Sequence, residues 1–155
     1  EELKYNSNRG VSGIEGCTST ALGAHQVTGN SILISGDISF FYDSNAFWNR
    51  HVSNNFKVIV INNGEGNIFK ILPDPKKDSE SLPFFTTPHN TSIKKFCDLY
   101  NLNYYSATNL ETLETEFPTF IQNNTQASVL EIDTREADNE AILNEYFTYL
   151  RENKL

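Results

Sequence analysis

The chain has 155 residues, the size of one ordinary domain. At 38% hydrophobic and 21% charged residues, its composition is that of a globular protein and not of a disordered one. Twelve basic against twenty acidic residues give a formal charge of −8, which argues against nucleic acid as a partner. No apolar run approaches the ~20 residues of a membrane span. No basic flank followed by an apolar run marks a signal peptide, so a cytoplasmic location is expected. There is no Met, and the chain opens at Glu1-Glu2-Leu3, as in a processed product or a piece of a longer protein.

Residues 12–27 are rich in Gly, Ser, Thr and Ala and predict a helix that lets a neighbour approach closely. Ser31 to Ser35 is a short apolar run ending at Gly36, a buried strand. Asn45 to His51 reads as helical. Phe56 to Ile61 is β-branched and almost wholly apolar, as in a strand covered on both faces, and Asn62-Asn63-Gly64 breaks it. Residues 73–90 carry Pro73, Pro75, Pro83 and Pro88 and predict a long loop, functional or mobile. Ile93, Phe96, Cys97 and Tyr100 then fall on one face of a helix. Tyr104-Tyr105-Ser106 predicts a strand. Thr108 with Glu111 has the spacing of a capping box, opening a helix that Pro118 ends or kinks. Ser128 to Ile132 is another strand, and Leu143, Tyr146, Phe147 and Leu150 give an amphipathic terminal helix. Strands alternating with helices predict one α/β domain: a Rossmann-like parallel sheet with helices on both faces.

Cys17 and Cys97 are far apart and read as free, partly buried thiols. His25, His51 and His89 are scattered, and no His or Cys pair has zinc-ligand spacing. Ligands of open α/β sheets bind beyond the carboxyl ends of the strands. Two such ends stand out: Gly36-Asp37-Ile38-Ser39 and Asn62-Asn63-Gly64-Glu65-Gly66-Asn67. If the two strands are neighbours, a carboxylate, an amide oxygen and a backbone carbonyl meet there, hard ligands suited to Mg²⁺ and a diphosphate. On local chemistry alone, a helix-capping Asp37 and a plain turn at 62–64 explain the same residues better.

Twenty-six positions separate Asp37 from Asn63. Gly-Asp, that interval, then Asn-Asn after an apolar strand resembles the thiamine-diphosphate binding motif, with Ile38 where Gly is frequent. Ser7-Asn8-Arg9-Gly10-Val11-Ser12-Gly13-Ile14-Glu15-Gly16, Gly36-Asp37-Ile38-Ser39, Val60 to Phe69, Leu72-Pro73 and Thr87-Pro88-His89 together resemble the 2-succinyl-5-enolpyruvyl-6-hydroxy-3-cyclohexene-1-carboxylate synthase family of menaquinone biosynthesis. The resemblance implies a transferase that decarboxylates 2-oxoglutarate and adds the succinyl carbanion equivalent to isochorismate. Residues 1–155 would then be the C-terminal diphosphate- and Mg²⁺-anchoring domain of a three-domain chain. The parent would be a dimer or tetramer whose subunits share the active site.

The resemblance implies roles residue by residue. Asp37, Asn63 and the Glu65 carbonyl would hold Mg²⁺ (or Mn²⁺), with Glu65 standing where the family usually has Gly. Gly36, Ile38, Ser39 and Gly66 would lie along the diphosphate, and Gly13 and Ile14 against the aminopyrimidine. Ile68, Phe69 and Leu72 would form an apolar wall, and Arg9 would grip a substrate carboxylate. Read as apolar residues only, Ile14, Ile68, Phe69 and Leu72 fit plain core better, and Arg9 fits a surface ion pair. Asp43 and Glu15 read as caps or solvated acids, and His89 as structural or solvent-facing as readily as functional. The activating Glu of such enzymes belongs to a separate domain, so this chain alone is expected to be inactive. The rival expectations are another thiamine-diphosphate decarboxylase or acetohydroxyacid synthase, and a non-catalytic phosphate-binding α/β module.

Overall fold

The computed structural model describes residues 4–7, 13–71 and 80–153. Four strands form one parallel sheet: β1 (Ile32–Gly36), β2 (Lys57–Asn62), β3 (Asn103–Ala107) and β4 (Ser128–Asp133), in the order β1-β2-β4-β3. The register pairs Gly36 with Ile61 and Asn62 with Asp133, so β1, β2 and β4 end side by side. The helices are α1 (Cys17–Thr28), α2 (Asp37–Tyr42), α3 (Ile68–Ile71), α4 (Leu82–Thr86), α5 (Ile93–Tyr100), α6 (Leu110–Gln122) and α7 (Asn139–Asn153).

Strand alternation assigns the helices to faces. Val58, Val60 and Val129 pack into one buried cluster with Leu22 of α1, Phe40 of α2 and Phe96 of α5. Lys57, one residue before Val58, lies under the ring of Phe120 from α6. Successive strand residues face opposite ways, so α6 covers the other side. Tyr104 and Tyr105 repeat the pattern: Tyr104 joins the main cluster, and Tyr105 meets Phe120 edge-on at 5.8 Å. The expected Rossmann-like sheet with helices on both faces is therefore present. The large cluster is aromatic, with Phe40 and Phe96 centroids 4.6 Å apart and Phe47 at 5.7 Å from Phe40.

Several local expectations need correction. Asn45 to His51 is not an α-helix: a 3-10 turn, Ser44–Phe47, carries Ala46 and Phe47 into the core, and the chain then bends. The cap of α6 is Asn109, one residue after Thr108; its side chain accepts from Thr112 N–H, and the Thr112 hydroxyl accepts from Asn109 N–H in return. Pro118 does not end α6, which continues to Gln122 because Phe120, wholly buried, pins the last turn on the sheet. Residues 73–90 are not one loop, since the described part contains α4. The amphipathic stripe of α7 does form a helix, but Tyr146 and Phe147 stay exposed. Cys17 and Cys97 are free thiols. Among the described residues, no helix is long and apolar enough to cross a membrane.

Candidate functional site

Parallel pairing of β1 with β2 brings the two polar strand ends together. Asp37 opens α2 immediately after β1 and is only 2% exposed. Its Oδ2 accepts from Gly64 N–H at 2.7 Å, across from β2. Among the described residues, its Oδ1 accepts only the neighbouring Ile38 N–H, at 2.9 Å. Asp37 is therefore not a simple helix cap; it ties the end of one strand to the turn after the next.

The turn has its own chemistry. Asn62, 1% exposed, accepts from Gly64 N–H at 3.1 Å through Oδ1, and Asn63 Oδ1 accepts from Glu65 N–H at 3.1 Å. These are two successive side-chain-closed turns, the kind Asn favours. The positive φ of 79° falls on Gly64, and Glu65 is not among the described residues with positive φ. Glu65 thus carries its side chain without backbone strain, and its carboxylate pairs with Lys70.

The donor set fits a hard divalent cation. It comprises one carboxylate, one amide oxygen and one main-chain carbonyl, and each of Asp37 Oδ1, Asn63 Oδ1 and Glu65 O carries a single hydrogen bond among the described residues. An sp² oxygen has capacity for a second partner. Among the described residues, no group of three or more His, Cys, Asp or Glu side chains could hold a metal ion, so a cation here would rest on one carboxylate with amide and main-chain oxygens.

Of the other residues expected at the site, Gly36, Ser39 and Gly66 adjoin the two strand ends. Gly36 precedes α2 in an extended conformation, with open space where a Cβ would stand. The Ser39 hydroxyl donates to the Ile14 carbonyl at 2.8 Å, joining the 13–16 segment to α2. Gly13 is exposed beside it. Gly66 donates to the Thr86 carbonyl at 2.6 Å, and a Cβ there would meet Phe69 and Thr86 at 3.4 Å. Ile14, Ile68 and Phe69 are 40%, 53% and 40% exposed. They are not core, and they leave an apolar surface beside the polar turn. Arg9 and Leu72 lie outside the described residues.

Sequence reasoning left His89 open and missed Glu131 and Arg135. His89 is seated on the site, with Nε2 3.2 Å from Asp37 Oδ2. Glu131 is buried behind it, accepting from Asn62 Nδ2 and from the Tyr104 hydroxyl, each at 2.5 Å. A charged residue inside the apolar run of β4 was the available signal, because buried acids need partners. Burial, reinforced by the Glu131 hydrogen bond, pushes the Tyr104 hydroxyl up to about 12. Arg135, bonded to Asp133, stands 3.3 Å from where a Gly64 Cβ would be. That hydrogen bond holds the Asp133 carboxyl below its usual range, and Asp133 raises Arg135 in turn. Asp43 caps α1 from a distance, accepting from Ser19 N–H at 2.5 Å and from the Ser19 hydroxyl at 2.7 Å. Burial drives the Cys97 thiol up to about 12, as for a structural cysteine packed in the core.

No family model matches the chain. Curated relatives named 2-succinyl-5-enolpyruvyl-6-hydroxy-3-cyclohexene-1-carboxylate synthase do. That of Christiangramia forsetii is 41% identical over 152 residues, 97% of this chain and 26% of the relative. That of Porphyromonas gingivalis is 42% identical over 93% of this chain and 25% of the relative. That of Flavobacterium psychrophilum is 44% identical over 92% and 26%. The chain spans about a quarter of the length of these relatives. Among solved structures, benzoylformate decarboxylase from Polynucleobacter necessarius superposes with a TM-score of 0.59 at 16% identity, over 75% of this chain and 22% of that one. The thiamine diphosphate-dependent 4-hydroxybenzoylformate decarboxylase of Rhodococcus jostii RHA1 gives 0.54 at 18%, over 73% and 21%. These two share the fold. On sequence, matched at 41–44% identity to a C-terminal portion of its members, the chain belongs to the 2-succinyl-5-enolpyruvyl-6-hydroxy-3-cyclohexene-1-carboxylate synthase family.

Proposed function

We propose that this chain is the metal- and diphosphate-anchoring domain of a thiamine-diphosphate-dependent synthase that decarboxylates 2-oxoglutarate and joins the succinyl unit to isochorismate. The observation that carries the reading is the meeting of Asp37 with the 62–65 turn at the ends of two parallel strands. Asp37, Asn63 and the Glu65 carbonyl would hold Mg²⁺ or Mn²⁺, which neutralises a diphosphate. Gly36, Ile38, Ser39 and Gly66 would line the diphosphate, where missing or small side chains let the backbone approach. Gly13 and Ile14 would meet the aminopyrimidine, held by the Ser39 bond to the Ile14 carbonyl.

Thiamine diphosphate, when bound, supplies the electron sink that decarboxylation of a 2-oxo acid requires. The chain's residues orient it and exclude water. Exposed Ile68 and Phe69, with Leu72, would form a low-polarity wall beside the reacting carbons, and such a wall favours loss of charge from the bound substrate. Arg9 would take a substrate carboxylate bidentately. The Glu that activates such a cofactor would come from a separate domain, so activity would belong to a longer, oligomeric protein and not to this chain alone.

The test uses the full-length protein with Mg²⁺ and thiamine diphosphate. Product should form from 2-oxoglutarate plus isochorismate and not from benzoylformate or pyruvate. Asp37→Ala should weaken metal-dependent cofactor binding by more than ~100-fold, since even partners of metal ligands are worth ~10–100-fold. Unchanged binding in Asp37→Ala, read by calorimetry, sinks the metal assignment.

A further inference from the structure

We propose that His89 is a positioning residue for Asp37, fixing which carboxylate oxygen faces the cation; the inference rests on the reading of Asp37 as a metal ligand. Three observations converge on one imidazole. The Thr91 N–H donates to His89 Nδ1 at 3.2 Å. Nδ1 is therefore the acceptor, and the ring proton sits on Nε2. Nε2 then donates to Asp37 Oδ2 at 3.2 Å. The ring plane is held by Phe41, edge-on at 5.4 Å and 89°.

The segment carrying His89 is itself fastened to the metal turn. His89 N–H donates to the Gly64 carbonyl at 2.9 Å, and Gly66 N–H donates to the Thr86 carbonyl at 2.6 Å. The imidazole is thus held relative to both the 64–66 turn and Asp37. Gly64 N–H and His89 Nε2 both go to Oδ2, which leaves Oδ1 with one internal bond. Asp37 is presented as a one-oxygen ligand. One-oxygen carboxylates suit the octahedral demand of Mg²⁺ and Mn²⁺, whereas Ca²⁺ accepts a bidentate carboxylate and more ligands.

The experiment measures Mn²⁺ and Ca²⁺ binding to the full-length protein in the presence of thiamine diphosphate. Free Mn²⁺ is read by its electron paramagnetic resonance signal, with Ca²⁺ as competitor. His89→Phe keeps the packing on Phe41 and removes the donor. His89→Gln keeps a donor at similar reach. Thermal unfolding establishes that both variants fold, and His89→Asn, with a shorter donor, stands in for the Phe variant if that one does not. The expected result is that His89→Phe loses ~10–100-fold in Mn²⁺ affinity, loses less for Ca²⁺, and that His89→Gln recovers most of the loss. Wild-type Mn²⁺ affinity in His89→Phe overturns the inference while leaving the metal reading intact. Equal losses for both cations, or no recovery in His89→Gln, also overturn it. Absence of Mn²⁺ binding to the wild type overturns the metal reading, and this inference falls with it.

Discussion

Gly64 shows how much of the site depends on one backbone conformation. Its φ is +79°, and a Cβ there would meet Arg135 Cγ at 3.3 Å. Its N–H is shared between Asp37 Oδ2 and Asn62 Oδ1. An L-residue in this conformation costs ~1–3 kcal/mol. Gly64→Ala should therefore lower unfolding stability by roughly that amount. Gly36 is the control: its φ is −78° and no atom stands near the position a methyl would take, so Gly36→Ala should cost little stability. Equal urea midpoints for the two variants would show that the turn is not strained by a side chain. Glu65, one residue on, keeps its side chain because the unusual φ belongs to its neighbour.

At the scale of elements, α6 illustrates packing overriding local propensity. Pro118 removes one i→i−4 bond and disfavours the helix interior. The helix nonetheless runs to Gln122, because Phe120 packs on Tyr105 and its ring lies 5.8 Å from the Lys57 ammonium. Burial lowers the Lys57 amine below its ordinary value, so the ring and the Ser128 and Asn123 oxygens together replace lost water. Phe120→Ala should cost ~3–5 kcal/mol, the range for a large buried aromatic. Guanidinium denaturation reads the change. A loss under ~1 kcal/mol would mean that α6 is held by its own hydrogen bonds and not by this contact. By contrast, α5 needs no such rescue: Ser92 caps it, and Ile93, Phe96 and Cys97 face the core.

For the molecule as a whole, the buried polar network behind the strand ends couples stability to pH. The Tyr104 hydroxyl, raised from 10.0 to about 12 by burial and by Glu131, stays protonated longer when folded than when unfolded. The folded state binds more protons through that window, so stability falls as pH rises. The contribution is complete below about 10 and is lost toward about 12. Cys97, raised from 9.0 to about 12, adds to the same limb with the same sign. Tyr104→Phe should flatten the decline between these values while lowering stability near neutrality by ~1–3 kcal/mol, because Glu131 loses a buried donor. Urea titrations across the alkaline range check both, and an unchanged slope refutes the assignment. At the acid end, Asp133 gives stability above its unfolded value that is lost as pH falls through its depressed folded value. That pair is partly exposed and is worth little.

Much of this was legible in the residues. The alternation of β-branched runs with helical spacing determined a parallel α/β sheet, since period and composition are local properties of a chain. The order of the Gly-Asp and Asn-Asn segments marked the strand ends, because loop chemistry after an apolar strand survives without knowledge of neighbours. Where Pro118 stands, the local rule pointed the wrong way, and the long-range contact of Phe120 decided the outcome. The same holds for Ile14, Ile68 and Phe69: apolarity alone reads as core, and only the fold leaves them open beside the polar turn. Asn62, Glu131 and His89 gain their partners from segments 69, 27 and 52 residues away in sequence. Spacing cannot encode such meetings. The sequence by itself determined the class of fold and the two polar strand ends; the register of β1, β2 and β4 decided which oxygens meet, because a hydrogen bond depends on distance in space and not along the chain.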